Sequence, residues 1–437
     1  MEKNIPQELE EYADQIERMR KKLKEKASRV RTRYKFYEMK NGYRDFGMDY
    51  PKSMKYWKPH LGWCAKAVDA LGDRLQFKEF ANDLFRLNRV FDANNPDVFF
   101  SSAIQSALIA SCCFVHIQNA EANGEQPKLF VLSAADATGE IDESTGLLRE
   151  GYAVLSRSKN NEPTREAFFL PGKTIYFNKN EVIDEERTSA LHPMLVPIIY
   201  RPDAVRPFGH SRISRACMDL LESAIRTVKR AEVTAEFYSF PQKYVTGLSE
   251  TAIDGFDKNR ATVSGMLAFT KDEDGDSPKI GQFTQQSMQP HTDQLKMFAA
   301  LFAGETGLTL DDLGFATDNP STAEAIKAAH ENLRATARTA QKTFASGFLN
   351  VGYIAACVRD GHSYLRRQLV NTKAVWEPIF EPDAAAMAGI GDAAYKINQA
   401  VPGYFGQQNM EQFTGVPAEE TTDTEMVEEI TEVIENG

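Results

Sequence analysis

The sequence predicts an α+β protein in which helices predominate, and three observations carry that prediction. Apolar residues recur at steps of three or four over residues 5–40 and 211–239, which is the period of an amphipathic helix. Residues 128–200 instead form short apolar and aromatic runs separated by Gly, Asp and Asn, a pattern typical of strands and tight turns. Residues 242–288 repeat this β pattern between two helical segments, which indicates a small inserted β module.

The first helix is predicted over residues 5–40, with one apolar seam and a basic opposite surface. Residues 18–40 hold eleven Lys or Arg against two Glu. The seam has to pack on the body of the chain or on a neighbouring copy, and we favour a docking helix with a solvated basic face over a nucleic-acid-binding arm. The seam consists of Leu9, Tyr12, Ile16, Met19, Leu23, Ala27, Val30, Tyr34 and Tyr37.

Residues 55–118 are predicted to be mostly helical, and a block of strands follows them. This first α+β block ends near Arg206, before the turn "RPFGHS". The predicted strands are residues 128–134, 152–158, 166–171, 173–178 and 194–201.

A long helix is predicted over residues 211–239, about 40 Å long at ~1.5 Å per residue. Ser211 or Ser214 is suited to cap it, and Pro241 ends it. Its predicted apolar stripe is Ile213, Cys217, Leu220, Ala224, Val228, Ala231 and Ala235. The opposite face alternates in charge and includes Arg215, Asp219, Glu222, Arg226, Lys229 and Arg230.

The β insert has candidate strands at residues 242–248, 265–270 and 279–285. Asp272, Asp274 and Asp276 stand at alternate positions, as at the start of a calcium loop. However, Phe283 occupies the position where such a loop needs its bidentate Glu, so a solvated hairpin tip is the favoured interpretation.

A second helix, predicted over residues 291–305 with Leu295, Phe298, Leu301 and Phe302 on one side, is followed by a turn-rich loop. The loop could cradle a phosphate, shape an active site or only turn the chain. Ser321 and Glu324 fit a capping box for the alanine-rich helix that follows, and Pro320 sharpens its start. The negative charges of Asp311, Asp312 and Asp318 disfavour a bound phosphate, so we interpret the loop as an anchored acidic protrusion. The pair Asp311 and Asp312 could also hold a metal ion, although such a pair more commonly has a structural role in a loop or at the start of a helix.

The C-terminal part is predicted to contain a short strand at residues 375–382 and a helix pair at 392–416. The tail 419–437 has eight acids and no base, and it is predicted to be disordered. The net charge is −11, so about −3 remains for the rest of the chain. This balance argues against tight, static binding of nucleic acid but allows DNA to pass along a surface.

Catalytic and cofactor motifs are incomplete. "PGKTIYF" has the Gly-Lys-Thr end of a phosphate loop, but Ala167 stands where the first Gly belongs and the context is strand, turn, strand. The histidines have no metal-ligand spacing, and the five cysteines are interpreted as buried free thiols. No apolar run approaches the ~18 residues of a membrane span, and the charged N-terminus does not resemble a signal peptide. We therefore predict no catalytic residue, metal, cofactor or membrane contact, and a cytoplasm-like compartment.

Two stretches carry motifs that occur together in one family. Residues 206–247 contain a Gly-x-Ser-x-Ile turn entering a long helix that ends in Phe-Tyr-x-x-Pro-Gln. Residues 307–333 contain a Leu-Gly segment followed by Asn-Pro-x-Thr-Ala-x-Ala-Ile. These motifs, in the order helix, β insert, helix, loop and helix, resemble the portal proteins of long-tailed bacteriophages. The resemblance runs from about residue 40 to 415.

The resemblance implies a non-enzymatic ring, usually dodecameric, at one vertex of the phage head, with a central channel for double-stranded DNA during packaging and ejection. It implies large terminase subunit, head–tail adaptor, scaffold and major capsid proteins as partners, and assembly in the host cytoplasm. The implied parts are a wing (1–210), stem helices (211–240 and 291–305), a clip (241–290), a tunnel loop (306–320), a long helix returning to the wing (321–384), a short C-terminal helical crown (385–418) and the acidic tail.

The implied site residues fall into three groups. The tunnel loop, which would face DNA, consists of Asp311, Asp312, Leu313, Gly314, Phe315, Ala316, Thr317, Asp318 and Asn319. The stem face, which would meet a neighbouring subunit or the channel, consists of Arg215, Asp219, Glu222, Arg226, Lys229 and Arg230. The clip tip consists of Asp272, Asp274 and Asp276. Two other classes stay open: an enzyme that packages or processes DNA, and an oligomeric scaffold without a channel.

Overall fold

Helices and sheets share the chain, as the sequence predicts. The computed structural model describes residues 5–46, 54–120, 125–239, 243–246, 279–282, 287–315, 328–380 and 384–406. In these ranges the helices are α1 (Ala13–Tyr37), α2 (Trp63–Gly72), α3 (Leu87–Asp92), α4 (Pro96–Ala110), α5 (Arg215–Ser239), α6 (Gln289–Thr306), α7 (Glu331–Asp360) and α8 (Ala384–Ala400).

The strands of the described residues form four sheets. They are β1 (Phe77–Ala81), β2 (Cys112–Gln118), β3 (Lys128–Ser133), β4 (Ala137–Ile141), β5 (Leu148–Arg157), β6 (Pro163–Leu170), β7 (Lys173–Phe177), β8 (Val182–Arg187), β9 (Leu195–Ile199), β10 (Lys243–Thr246), β11 (Lys279–Gln282) and β12 (Lys373–Trp376). The sheet orders are β4-β5-β6-β7-β8, β3-β2-β9, β1-β12 and β10-β11. The pairing is antiparallel throughout the described residues.

The central strands β5, β6 and β7 of the five-stranded sheet are buried on both faces, between α1 and the main core. Successive residues of a strand point to opposite faces, and the packing follows that alternation. Phe168 and Ile175 pack with the α1 seam residues Ile16 and Met19, whereas Phe169 faces the main core. The predicted docking helix is therefore confirmed, and of the two partners that the sequence left open its seam packs on the body of the same chain.

Polar contacts fix α1 on this sheet. Arg20 donates from Nε and Nη2 to the two carboxylate oxygens of Glu166, at 3.0 and 2.6 Å. The hydroxyl of Tyr152 donates to the same carboxylate. Glu166 is only 2% exposed and Tyr152 is 1% exposed, so this is a buried network that joins helix to sheet.

The helical prediction for residues 55–118 is wrong at its end, because strand β2 begins at Cys112. α4 ends at Ala110, and Ser111 adopts a left-handed backbone with φ of 89° that turns the chain into the strand. β2 is the central strand of its sheet, and β3 and β9 pair with its two edges. Strands β1, β4 and β8 are also absent from the sequence prediction, whereas β3, β5, β6, β7 and β9 are confirmed.

The C-terminal half returns to the first block. β12 pairs with β1, with Phe77 opposite Trp376, so the predicted strand at 375–382 starts two residues earlier and is shorter. α7 packs on β9 and α3 and extends to Asp360, beyond the predicted alanine-rich segment. α8 begins at Ala384, before the predicted start of the C-terminal helix pair, and residues 407–437, including the acidic tail, lie outside the described residues.

Candidate functional site

Helices α5 and α6 form an antiparallel pair that is bonded along its length. The hydroxyl of Ser214 donates to Glu305 at 2.8 Å at one end, and Thr227 donates to Gln294 at 3.0 Å in the middle. Thr234 lies 3.3 Å from the Nε2 atom of His291 near the other end. The two helices therefore stay in contact from the start of α5, which lies in the core, to the end that leads into the β insert.

Ser214 caps α5 by accepting a hydrogen bond from the backbone nitrogen of Cys217 at 3.1 Å. The other predicted cap, Ser211, instead donates to the carbonyl of Ile109 at 2.6 Å and ties the preceding turn to α4. In that turn Gly209 has a φ of +74°, and a Cβ there would lie 2.1 Å from the carbonyl oxygen of Tyr200, so only glycine fits.

The apolar stripe predicted for α5 is confirmed in part. Ile213, Cys217 and Ala224 are buried, but Leu221 and Ile225 are also buried and Leu220 is only half-buried. The buried face is thus rotated by about one position relative to the prediction. On α6, Phe302 is buried as predicted, whereas Leu301 is 54% exposed, contrary to the prediction.

Some charged side chains of α5 are exposed to solvent, and others are engaged in contacts within the subunit. Arg215 and Asp219 are exposed, and Glu222 lies 3.8 Å from Arg226 one turn later. Arg230 is half-buried, and its Nε has no hydrogen-bond partner among the described residues. Glu232 and Glu236 farther along the helix are exposed again, so the solvated charged face is interrupted between Arg226 and Arg230.

Lys229 departs most from the sequence prediction. It is 2% exposed, and its Nζ lies 3.2 Å from the carboxylate of Asp45 and 3.3 Å from the carbonyl of Lys55. Desolvation lowers the pKa of Lys229, but hydrogen bonds to Tyr43 and Asp45 outweigh it and raise that pKa overall. Lys229 is therefore an internal anchor and is not available on an open stem face.

Arg226 is covered by the same segment. Its guanidinium lies 4.6 Å from the ring centroid of Phe46, and Nη1 donates to the carbonyl of Arg44 at 3.3 Å. Residues 43–46 and Lys55 thus hold the second half of α5 within one subunit. This role could not be predicted from the sequence, because nothing in the local pattern of residues 43–46 links them to a helix about 180 positions away.

The β insert is described only at its base. β10 and β11 pair with Lys243 opposite Gln282 and Thr246 opposite Lys279, which confirms the first and third predicted strands. The strand predicted at 265–270 and the tip residues Asp272, Asp274 and Asp276 lie outside the described residues.

The first half of the loop after α6 is anchored to the body. Asp312 accepts hydrogen bonds from the backbone nitrogen and the hydroxyl of Thr309, both at 2.9 Å, in a turn that Gly314 closes with a φ of 88°. Leu313 is 9% exposed and Phe315 packs against the main core. These two apolar side chains are therefore directed into the protein.

Among the described loop residues, Asp311 is exposed. Ala316, Thr317, Asp318 and Asn319, together with the predicted capping box at Ser321 and Glu324, lie outside the described residues. α7 starts at Glu331, and the Nδ1 atom of His330 before it lies 3.8 Å from the Asp312 carboxylate. The loop is therefore held from both sides, by its own turn and by the start of α7.

The Gly172-Lys173-Thr174 stretch lies in the tight turn between β6 and β7, as the sequence predicts. Lys173 is used in an ion pair with Glu185 at 3.0 Å, and Thr174 is fully buried. Neither side chain is therefore available to a nucleotide phosphate.

All five cysteines are buried free thiols, as predicted. Burial raises the pKa of the Cys112 thiol to about 12, so it stays protonated at neutral pH. Within the ranges that the structure describes, no group of three or more His, Cys, Asp or Glu side chains is placed to hold a metal ion. None of the described helices is both long enough and apolar enough to span a bilayer.

Comparisons with known proteins agree with the resemblance seen in the sequence. The chain is 24% identical over 418 residues to the portal protein of Mycobacterium phage L5, covering 90% of this chain and 84% of that protein. It is 24% identical over 395 residues to the portal protein of Mycobacterium phage D29, covering 85% and 80% respectively.

Solved structures with a similar chain come from gene transfer agent particles. A chain in the virion of a native particle aligns with a TM-score of 0.41 at 12% identity, covering 81% of this chain and 90% of that one. A chain in the neck of an empty particle aligns with a TM-score of 0.42 over the same shares. The sequence profile of the family described as "Phage portal protein, SPP1 Gp6-like" matches residues 16–380, which is most of the chain. The chain therefore belongs to this family of phage portal proteins.

Proposed function

We propose that copies of this chain assemble head to tail into a closed ring, a dodecamer, whose central channel carries double-stranded DNA into and out of a phage head. The observation that carries the proposal is the antiparallel pair of α5 and α6, which leads from the core to the base of the β insert. In a portal subunit this pair is the stem and the insert is the clip. The role is structural, with no catalytic step and no cofactor.

A closed ring needs two different surfaces on each subunit, because every head-to-tail contact joins unlike patches. α6 offers one such surface, since Met297 and Leu301 are one turn apart and are 50% and 54% exposed. The exposed charges Arg215 and Asp219 at the start of α5 offer another. Lys229, Arg226 and the residues that cover them are excluded from this assignment because they are already engaged within the subunit.

The channel-facing loop is proposed as Asp311 with residues 316–319, a narrower set than the sequence suggests. Leu313 and Phe315 serve to anchor it in the core. The exposed carboxylate of Asp311 repels phosphate, and a channel through which DNA moves benefits from weak contact, since each neutralised phosphate strengthens binding. The loop would therefore touch passing DNA without holding it.

The remaining parts follow the same assignment. Residues 1–210 would be the wing, α7 would back the loop, and α8 would belong to a short crown. The clip, with its acidic tip, would meet the large terminase subunit during packaging and the head–tail adaptor afterwards. Scaffold and major capsid proteins would surround the ring, which would assemble in the host cytoplasm and remain at one vertex of the virion.

Electron microscopy of the purified full-length chain tests the assembly. We expect closed rings with a central hole wide enough for a DNA duplex. Monomers, or closed particles without a hole, would contradict the proposal and favour a scaffold without a channel. ATP hydrolysis by the purified chain alone would instead favour the alternative, an enzyme that packages or processes DNA.

Deletion of residues 316–319 tests the channel loop. We expect rings to form normally, because the anchoring residues Leu313 and Phe315 are retained, whereas the amount of DNA packaged and retained in heads falls to near background. The measurement is a nuclease-protection assay on heads assembled with the variant.

Replacement of the same four residues by Gly-Ser-Gly-Ser is the matched control for this deletion. It keeps the length of the loop and removes Asp318 and Asn319, so packaging should recover in part if reach matters more than side-chain chemistry. Loss of ring assembly in both variants would show that the segment has an assembly role and would refute its assignment to the channel.

A further inference from the structure

A cavity of about 640 Å³ lies between α7, strand β9 and two loops, and it has no role in the function proposed above. One loop is the turn between β4 and β5, and the other follows β9. Ligand pockets in proteins commonly have volumes of about 300–1,000 Å³. We call this cavity the α7 groove. Its apolar wall includes Ile141, Pro197, Ile199, Pro202, Pro207 and Gly347.

Asn350 supplies a hydrogen-bond donor to the α7 groove. Its side chain lines the cavity and is 8% exposed. Its Oδ1 accepts a hydrogen bond from Nε of Arg366 at 2.7 Å, and because a guanidinium only donates, this contact fixes the orientation of the amide. The Nδ2 group, with two N–H donors, has no hydrogen-bond partner among the described residues. A carbonyl or carboxylate oxygen of a ligand in the groove would satisfy it.

The α7 side of the groove is positively charged. Lys342 lines the cavity, Arg338 is one turn earlier on α7, and Arg366 lies next to Asn350. None of these three cations has an ion pair with a carboxylate in the ranges that the structure describes. Arg366 is also half-buried, so a negative charge nearby would offset part of its lost hydration.

Two acids line the groove, and one of them is already occupied. Asp203 accepts hydrogen bonds from the backbone nitrogens of Val205 and Arg206 at 2.8 and 2.7 Å, and its other oxygen lies 2.5 Å from Nε2 of His210. Glu143 is exposed and has no ion pair within the described ranges. Positive charge is therefore in excess, and the groove should favour a ligand that combines carboxylates with apolar side chains.

The chain itself contains a segment of this composition, residues 419–437. It carries eight acids and no base. A regular alternation of acids with apolar residues occupies its second half, so both kinds of side chain are available within a short length. The β-branched apolar residues are Val427, Ile430, Val433 and Ile434.

The chain is long enough for this segment to reach the groove. The ring centroids of Phe380 and His330 are 6.1 Å apart, so the chain passes the start of α7 shortly before α8 begins. Lys342 lies twelve positions beyond His330, about 18 Å along α7 at ~1.5 Å per residue. α8 has 17 residues and is about 26 Å long. Residues 407–430 can span up to about 80 Å, which exceeds both lengths together.

We infer that the α7 groove binds the acidic segment 419–437 of the same chain. The apolar residues of the segment would lie against the proline and isoleucine wall, and its carboxylates would face Arg338 and Lys342. Tethering gives the segment an effective concentration on the order of millimolar, so that even a weak site is filled. The competing location is the exposed basic face of α1, which includes Lys21 and Lys35. The groove is favoured because it adds an apolar wall and an unsatisfied amide to the positive charge.

Photo-crosslinking in the full-length protein tests this inference. The photoreactive residue p-benzoylphenylalanine replaces Ile430, and the crosslinked positions are mapped by mass spectrometry after irradiation at low protein concentration. We expect adducts on residues 197–207 and 342–350 of the same chain. Adducts located mainly on α1, or products of doubled mass that join two chains, would overturn the inference.

Charge reversal beside the groove is the first test variant, Arg338→Glu with Lys342→Glu. The matched control is Lys21→Glu with Lys35→Glu, which reverses two exposed charges on α1. The yield of groove adducts should fall at least about fivefold in the test variant and stay within about twofold in the control. Equal falls in both variants would show general attraction to a positive surface and would contradict a specific groove.

Two single variants separate the shape of the groove from its charge. Ser346→Tyr fills the cavity from an exposed lining position without a change of charge and should lower the adduct yield at least about threefold. Glu143→Gln removes the opposing carboxylate and should raise the yield. An unchanged yield with Ser346→Tyr, or no rise with Glu143→Gln, would count against the groove as the docking site. These readouts do not involve ring formation or packaging, so this inference and the channel proposal can fail independently.

Discussion

Replacing Arg20 with alanine should destabilise the packing of α1 on the five-stranded sheet by about 3–5 kcal/mol, the usual cost of breaking a buried ion pair on one side. Arg20 supplies two hydrogen bonds to Glu166, which is 2% exposed. Without the guanidinium, Glu166 retains only the hydroxyl of Tyr152 as a donor among the contacts described above. A buried carboxylate with one neutral partner is poorly compensated for its lost hydration. The measurement is urea unfolding, with limited proteolysis to follow release of residues 5–37.

Two further variants identify the cause of that loss. Arg149→Ala removes an exposed arginine, with a side chain 67% exposed, from its pair with Asp142, and should cost no more than about 1 kcal/mol. Arg20→Ala combined with Glu166→Gln removes the unpaired charge and should recover a large part of the stability. If the double variant is as unstable as Arg20→Ala, the loss comes from packing of the Arg20 side chain and the electrostatic explanation is wrong.

Features encoded in local periodicity were predictable from the sequence. The α1 seam, the long helix α5, and strands β5 to β7 were all placed correctly because each repeats an apolar pattern over several residues. What α1 packs on could not be predicted, because the seam has the same pattern whether its partner is the same chain or another copy. In the structure the seam packs on the five-stranded sheet of the same chain. Phe168 of that sheet contacts the seam, whereas the next residue, Phe169, points to the main core on the other face.

Features set by a single backbone conformation or by distant contacts escaped the sequence analysis. β2 was merged with α4 because the run from Phe99 to Ile117 is mostly apolar on both sides of Ser111, and the positive φ of Ser111 that separates the two elements leaves no signal in hydropathy. Lys229 appeared solvated because its neighbours on α5 are charged, yet Asp45 buries it.

The candidate site was predicted at the level of its elements but not of its side chains. The order of α5, β insert, α6 and loop follows from the sequence, and the structure describes α5, the base of the insert, α6 and the first part of the loop in that order. The turn at Thr309 and Asp312 directs Leu313 and Phe315 inward, where they pack against the main core. This packing decides which of the neighbouring loop residues point outward. Side-chain direction in a short loop is decided by tertiary packing and has no period that a sequence can display.

Replacing Ile225 with aspartate should disrupt the middle of the α5–α6 pair, because Ile225 is 3% exposed and belongs to the main core. Burial of an unpaired carboxylate costs several kcal/mol, roughly 3 or more, in addition to the lost apolar contacts. Ala216→Asp is the matched control, since Ala216 is exposed on the first turn of the same helix and should tolerate the change within about 0.5 kcal/mol.

The pH dependence of the Ile225→Asp variant distinguishes a buried charge from simple loss of packing. Burial raises the pKa of the introduced carboxyl above its unfolded value of about 3.9, so the folded state binds the proton more tightly than the unfolded state. The deficit relative to the unmodified protein is therefore largest above the raised pKa and becomes smaller as the pH falls through it. Urea unfolding of both proteins at neutral and mildly acidic pH measures this difference. A deficit that is constant with pH would show that the carboxylate reaches solvent, and unchanged unfolding at neutral pH would show that this face of α5 is not buried in the assembled protein.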